Sequence, residues 1–226
     1  MREIILDTET TGLNYKEGDR IIEVGCIELL NHMPTGSHLH FYCSTKKEIK
    51  DEAKSVHGLT NEFLKKFPTF TEQANKLLHF IKQDVLVIHN AAFDIGFINN
   101  ELKLAGLTEL KNNVIDTVSL ARKTLNTRIA NLDYLCKRFS IDLSQRKLHG
   151  ALKDCNLLSE VYIELLGGKQ TKLDLNKENP IQKNLKRKKQ QNDTKINTIS
   201  ISNEEVQSHK KFINNLKNSL WSKLDY

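Results

Sequence analysis

The sequence predicts an α/β fold: a mixed five-stranded sheet with helices on both faces. Three observations predict it. Three strand-like runs follow one another over short turns near the N-terminus. Two further short apolar runs then alternate with stretches of helical period. The 226 residues are 38% hydrophobic, enough to close one core of ordinary size and leave a substantial tail.

The first strand is read from Ile4-Ile5-Leu6, a short apolar run of the kind buried on both faces. Arg20 to Leu29, partly alternating and rich in β-branched residues, gives the second. Asn31 to Ser37, with Pro34 and Gly36, reads as a turn, and His38 to Cys43 as the third strand. Short turns between successive strands imply an antiparallel meander. Val56-His57-Gly58 reads as loop, and Thr60 to Lys66 as a short helical piece. Thr71 to Lys82 carries Ala74, Leu77, Leu78 and Ile81 at spacings of three and four, which predicts a helix. Asp84 to Asn90 is a second fully buried strand type. Phe93 to Ala105 is a helix stopped at Gly106. Asn113 to Asp116 supplies the fifth strand. Helices follow at Thr117 to Thr124, Asn131 to Phe139 and Gly150 to Leu166.

Composition divides the chain into a body (1–168), a flexible basic linker (169–195) and a C-terminal segment (196–226). The linker is rich in Lys, Asn and Gln and contains Lys186-Arg187-Lys188-Lys189, read as a solvated stretch. In the last segment Ile199 and Ile201 alternate with Ser, and Ser202-Asn203-Glu204-Glu205 matches the box that starts a helix. Val206, Ile213, Leu216 and Leu220 then form an apolar stripe, with Phe212 and Trp221 beside it. One amphipathic helix cannot bury its own stripe, so docking on another protein is expected.

Charge is unevenly placed. The net charge is +6, yet the body holds 21 Lys and Arg against 22 Asp and Glu, a balance of −1. The remaining 58 residues hold 13 against 6, a balance of +7. A near-neutral body binds polyanions weakly by itself, so a nucleic-acid substrate would need to be delivered to it. No run reaches the roughly 18 apolar residues of a membrane span, and no basic stretch followed by an apolar one opens the chain. A cytoplasmic location is expected. Cys26, Cys43, Cys136 and Cys155 lack the short spacing of a zinc site and read as small buried hydrophobes.

Chemistry concentrates in carboxylates. Asp7 and Glu9, at i and i+2 after the first strand, share one face. Adjacent carboxylates repel unless a cation lies between them, and hard divalent ions prefer such oxygen ligands; a strand running out into a polar turn is the plainer alternative. Asp94, in His89-Asn90-Ala91-Ala92-Phe93-Asp94, stands at a helix start, where an acid also complements the helix dipole. His149 and Asp154, five apart, would lie about 140° off a common helix face. They share a site only if His149 precedes the helix, with Gly150 giving the backbone freedom.

Taken in order, Asp7-x-Glu9, Asp94 and His149-x₄-Asp154 resemble the three motifs of the DEDDh 3′→5′ exonucleases, of ribonuclease H-like fold. The resemblance runs from Arg2 to Gly168 and includes Asp-Thr-Glu-Thr-Thr-Gly, Val-His-Gly and Leu-His-Gly-Ala. It implies that Asp7, Glu9, Asp94 and Asp154 hold two divalent cations, Mg²⁺ or Mn²⁺, and that His149 is the general base. Gly150 stands where tyrosine-type relatives need Tyr. The resemblance further implies that Glu52 and His57 join Asp7, Glu9 and Asp154 in contacting the terminal nucleotide, which Thr10, Thr11, Asn90 and Phe93 help to seat. Asp51-Glu52-Ala53 departs from the Pro-Glu-Ala of proofreading members. His32, His38, His40, His79 and His209 are read as structural or surface residues.

Gln170-Thr171-Lys172-Leu173-Asp174-Leu175 is similar to peptides that dock on the bacterial sliding clamp, with Gln170, Leu173 and Leu175 as the contacts. The implied function is a proofreading 3′→5′ exodeoxyribonuclease acting on single-stranded or frayed primer ends. Its implied partners are the catalytic subunit of a replicative polymerase, held through the last helix, the clamp, and a small accessory subunit. Two other readings stay open: an exoribonuclease trimming RNA ends, disfavoured by the linker and docking helix, and a scaffold that only braces a polymerase.

Overall fold

The computed structural model describes residues 1–144, 148–168 and 201–215. The chain forms two compact units, Met1–Lys172 and Leu173–Tyr226. The clamp-peptide residues Gln170, Leu173 and Leu175, the basic linker, and Leu216, Leu220 and Trp221 lie outside the described residues.

The first unit is built on β1 (Arg2–Thr10), whose Ile4, Ile5 and Leu6 have no exposed surface. It pairs antiparallel with β2 (Ile21–Leu30) and parallel with β4 (Val85–Ile88). β3 (Met33–Tyr42) and β5 (Val114–Asp116) close the edges, giving the order β3-β2-β1-β4-β5. Alternation sorts the side chains. Ile4, Leu6, Val24, Cys26, Leu86 and Ile88 pack with α3 (Phe70–Ile81) and α4 (Ala91–Leu104). Ile5, Ile27, Leu29 and Val87 pack with α5 (Thr117–Leu125), α6 (Leu132–Arg138) and α7 (Ala151–Leu165). Each face thus carries its own apolar layer, as the expected mixed sheet requires. All four cysteines are buried and outside any disulfide.

Three local expectations are corrected. The turn between β2 and β3 is only Asn31-His32, both at positive φ (51° and 66°), the backbone of a two-residue hairpin turn. β3 therefore begins at Met33 and contains Pro34 and Gly36, which an edge strand tolerates. Val56 and His57 are not loop: they end a helix, α1 (Asp51–His57), which Gly58 closes at φ 72° with its N–H on the Lys54 carbonyl. Asp51 stands at the first helical position, where Pro is tolerated because the N–H there is unpaired, so replacing the family's Pro leaves this start intact. Finally, Gly150 has φ −171°, ordinary extended backbone, and needs no glycine freedom.

A short helix, α2 (Asn61–Leu64), follows, with Thr60 as its cap. In the second unit, α8 (Asn203–Asn214) starts with the expected box: Ser202 Oγ accepts from the Glu205 N–H at 3.3 Å, and Glu205 Oε2 accepts from the Ser202 N–H at 2.9 Å. Along it Ile213 is buried and Phe212 exposed. Among the described residues no helix is long and apolar enough to cross a membrane.

Candidate active site

The site forms where the carboxyl end of β1 meets the first turns of α4 and α7. Asp7 and Glu9 follow Ile5 on the α7 face of the sheet. Gly25, directly opposite Asp7, lets α7 approach: a Cβ there would lie 2.5 Å from the Ala151 carbonyl carbon. The first turn of α7 can therefore rest on the sheet and bring Asp154 to Asp7, while the buried Cys155 thiol reaches the Gly25 carbonyl at 3.2 Å. Asp94, on the first turn of α4, is buried and its Oδ1 accepts from the Thr8 hydroxyl at 2.7 Å.

His149 precedes α7, as sharing a site with Asp154 requires. Its Nδ1 lies 3.1 Å from Asp154 Oδ2, and its N–H donates to the Val56 carbonyl at 3.1 Å. The imidazole is 42% exposed, whereas Asp154 is buried. One ligand atom from each of Glu9, His149 and Asp154 falls within 4.8 Å of the others. Beside them opens a cleft of about 250 Å³, lined by Asp7, His149 and Asp154 with His89, Asn131 and Asp133.

Electrostatics marks the site as strained in charge. Burial holds the Asp7 pKa well above the usual carboxylate range, and Asp94, Glu9, Asp154 and Glu23 push it further in the same direction. Asp94 is raised to about 7 by burial, which its bonds from Thr8 and the backbone offset only in part. Clustered carboxylates of this kind must hold protons or a cation. The donor set, hard oxygens with one imidazole, fits a divalent ion of the Mg²⁺ or Mn²⁺ type.

The other expected residues are placed unequally. His57 is buried at the end of α1, its Nδ1 accepting from the Leu59 N–H at 3.0 Å. Burial lowers its pKa, a shift that a bond to the Thr10 backbone and the charge of Glu23 offset only in part. Glu52 is exposed on the first turn of α1, where its charge acts on Lys50. The Thr10 hydroxyl donates to the Gly12 carbonyl at 2.6 Å, and the Thr11 hydroxyl accepts from the Arg20 N–H at 3.0 Å. Both hydroxyls thus shape the loop after β1. Asn90, at φ 67°, caps α4, and Phe93 packs against Phe97 with ring centres 4.8 Å apart.

Sequence reasoning missed Glu23. It is buried, stands directly across from Glu9 in the β1–β2 ladder, and its Oε1 is 2.8 Å from His40 Nε2. The signal was an acid inside the apolar run Ile21-Ile22-Glu23-Val24. His40, read as structural or surface, belongs to this rim. Thr8 and His89, whose Nδ1 meets the Thr117 hydroxyl at 2.9 Å, were also missed.

Comparison with known proteins agrees with this geometry. The RNase T family, described as exonuclease, matches residues 4–162. The DNA polymerase III subunit epsilon of Rickettsia conorii is 46% identical over 222 residues, covering 96% of each chain. That of Escherichia coli K12 is 45% identical over 175 residues, 74% of this chain and 72% of the relative. Among solved structures, the nuclease domain of 3′hExo, a DEDDh family member bound to rAMP, aligns with a TM-score of 0.65 at 17% identity. That alignment covers 73% of this chain and 91% of that one. At such identity the likeness speaks for the fold alone.

Proposed function

This chain belongs to the RNase T exonuclease family, on the branch of the polymerase III epsilon subunits, and is a proofreading 3′→5′ exonuclease; from that premise we propose how its residues divide the work. Its substrate is DNA, and it works as a member of the polymerase III assembly. The reading of the site is carried by one observation: Glu9, His149 and Asp154, from separate segments, offer ligand atoms within 4.8 Å of one another beside two carboxylates of raised pKa.

Asp7, Glu9, Asp94 and Asp154 would hold two divalent cations, Mg²⁺ or Mn²⁺, which when bound neutralise the scissile phosphate and acidify water. Asp154 Oδ2, 3.1 Å from His149 Nδ1, would orient the imidazole, whose Nε2 would take the proton of the attacking water. The water oxygen bonds to phosphorus, the bond to the leaving 3′-oxygen breaks, and that oxygen gains a proton. The products are a 5′-mononucleotide and a strand shortened by one. Glu52 and His57 would meet the terminal nucleotide, with Thr10, Thr11, Asn90 and Phe93 shaping its seat.

The near-neutral body suits an enzyme whose polymerase raises its effective concentration at the primer end. We assign the body to residues 1–168 as the nuclease, 169–195 as a linker and 196–226 as the segment that docks on the catalytic alpha subunit. The boxed start of α8 supports an ordered helix there. Gln170, Leu173 and Leu175 would engage the sliding clamp, and a small theta-like subunit is a further candidate partner. A bacterial cytoplasmic location follows from that assembly.

The test is release of 5′-mononucleotides from matched single-stranded DNA and RNA by the full chain and by His149→Ala. Activity on DNA that collapses in the variant supports the assignment. Wild-type turnover by His149→Ala would refute the base, and a preference for RNA would favour an exoribonuclease.

A further inference from the structure

Beyond the rim of the site lies a surface that the reaction does not use. Across the sheet, Glu9 pairs with Glu23, and Glu23 pairs with Tyr42 on the edge strand. Directly paired residues share a face, and neighbouring strands lie about 4.8 Å apart, so Tyr42 stands roughly 10 Å from Glu9 in the same row. Burial raises the Tyr42 pKa, and the charge of Glu23 pushes it the same way. Tyr42 in turn meets Phe63 at 5.2 Å and Phe67 at 5.0 Å between ring centres, and Phe63 and Phe67 are 5.2 Å apart. Lys66 Nζ sits 4.5 Å from the Phe63 ring centre and 5.2 Å from that of Phe67.

The cluster is partly open to solvent, with Tyr42 and Phe67 half-buried. The anchor of α2 is Leu64, which is 1% exposed, while Phe63 stays 37% exposed. Three rings and an ammonium at the open edge of a nuclease site have the composition of a single-strand stacking surface. Stacking tolerates any base, as an enzyme that removes whatever nucleotide is mispaired requires. A local cation also supplies what a body of charge −1 lacks overall.

We propose that Tyr42, Phe63, Phe67 and Lys66 form a platform for the single strand behind the terminal nucleotide. The rings stack its bases and Lys66 meets its backbone phosphate. The proposal rests on the exonuclease reading and adds to it a second contact zone, separate from the seat of the terminal nucleotide.

Two substrates test it on the full chain. One is a single-stranded decanucleotide; the other is a thymidine 5′-(aryl phosphate), which offers a terminal nucleotide with no strand behind it. For Phe63→Leu, which keeps apolar bulk but loses the ring, the ratio of kcat/KM on the decanucleotide to that on the ester should fall about tenfold, mainly through KM. For Lys66→Ala the ratio should also fall, and the slope of log KM against log salt should drop by about one. Ratios within twofold of wild type in both variants would overturn the platform and leave the rings to packing or a protein partner. Failure of the wild-type chain to hydrolyse either substrate would remove the exonuclease reading and the platform with it.

Discussion

The two ends of β1 treat buried acids in opposite ways. Glu3, with no exposed surface, is met by donors of the chain: Oε1 accepts from the Tyr162 hydroxyl at 2.7 Å, and His32 Nδ1 lies at ion-pair distance, 2.7 Å, from Oε2, without an aligned hydrogen bond. Beside it Arg2 spans Glu28 and Asp84. Asp7, four residues on and on the same face, is surrounded by further carboxylates instead. The same helix serves both ends, for α7 gives Glu3 a donor through Tyr162 and gives Asp7 another negative charge through Asp154. The fold can satisfy a buried carboxylate where stability calls for it. Where it stacks them, as around Asp7, the charge calls for protons or a cation from solution.

Substitutions should separate the two ends cleanly. The largest effect belongs to the site: Asp7→Asn should reduce mononucleotide release to background. Its thermal unfolding in chelator should match or exceed wild type, because a neutral amide replaces a carboxyl whose ionisation burial and neighbouring acids oppose. His149→Ala should follow, with kcat lowered about 10²–10⁴-fold and the fold intact. A folded, fully active Asp7→Asn would break the contrast at once. Glu3→Gln should invert the pattern, losing about 1–3 kcal/mol in denaturant unfolding because a buried pairing is weakened, while activity per folded molecule persists.

How much of this contrast was legible follows from what spacing encodes. Asp7 and Glu9 could be read because period two in a strand fixes a shared face, and Asp94, His149 and Asp154 because their order matched a known pattern. Glu23 could not, since its pairing with Glu9 depends on the register of two strands set by a turn. That turn was itself misread: Pro34 and Gly36 look like a loop until the sheet puts them on an edge. Helix α1 escaped because Lys50 gives it no side-chain cap and its seven residues have no apolar period. The Glu3 pairing spans 159 positions to Tyr162 and left no local mark.

The smallest expected effect sharpens the comparison at its stable end. Arg2→Ala removes two partly exposed ion pairs, and double-mutant cycles with Glu28 and Asp84 should return about 1 kcal/mol or less for each. A larger coupling would mean that charge pairing, rather than the buried Tyr162 contact, organises that end.

The central claim, that the acids at the far end of β1 await divalent cations, is tested most directly by calorimetric titration of Mn²⁺ into the full chain at pH 6 and pH 8. Without metal, the raised pKa values let the folded chain keep protons that an unfolded chain releases near pH 4, so this contribution to stability is lost as pH rises through about 7. Mn²⁺ must displace those protons. The account predicts tighter binding at pH 8, proton release on binding at pH 6, and loss of binding in Asp154→Asn. Absence of Mn²⁺ binding by the wild-type chain, or equal affinity in Asp154→Asn, would contradict it.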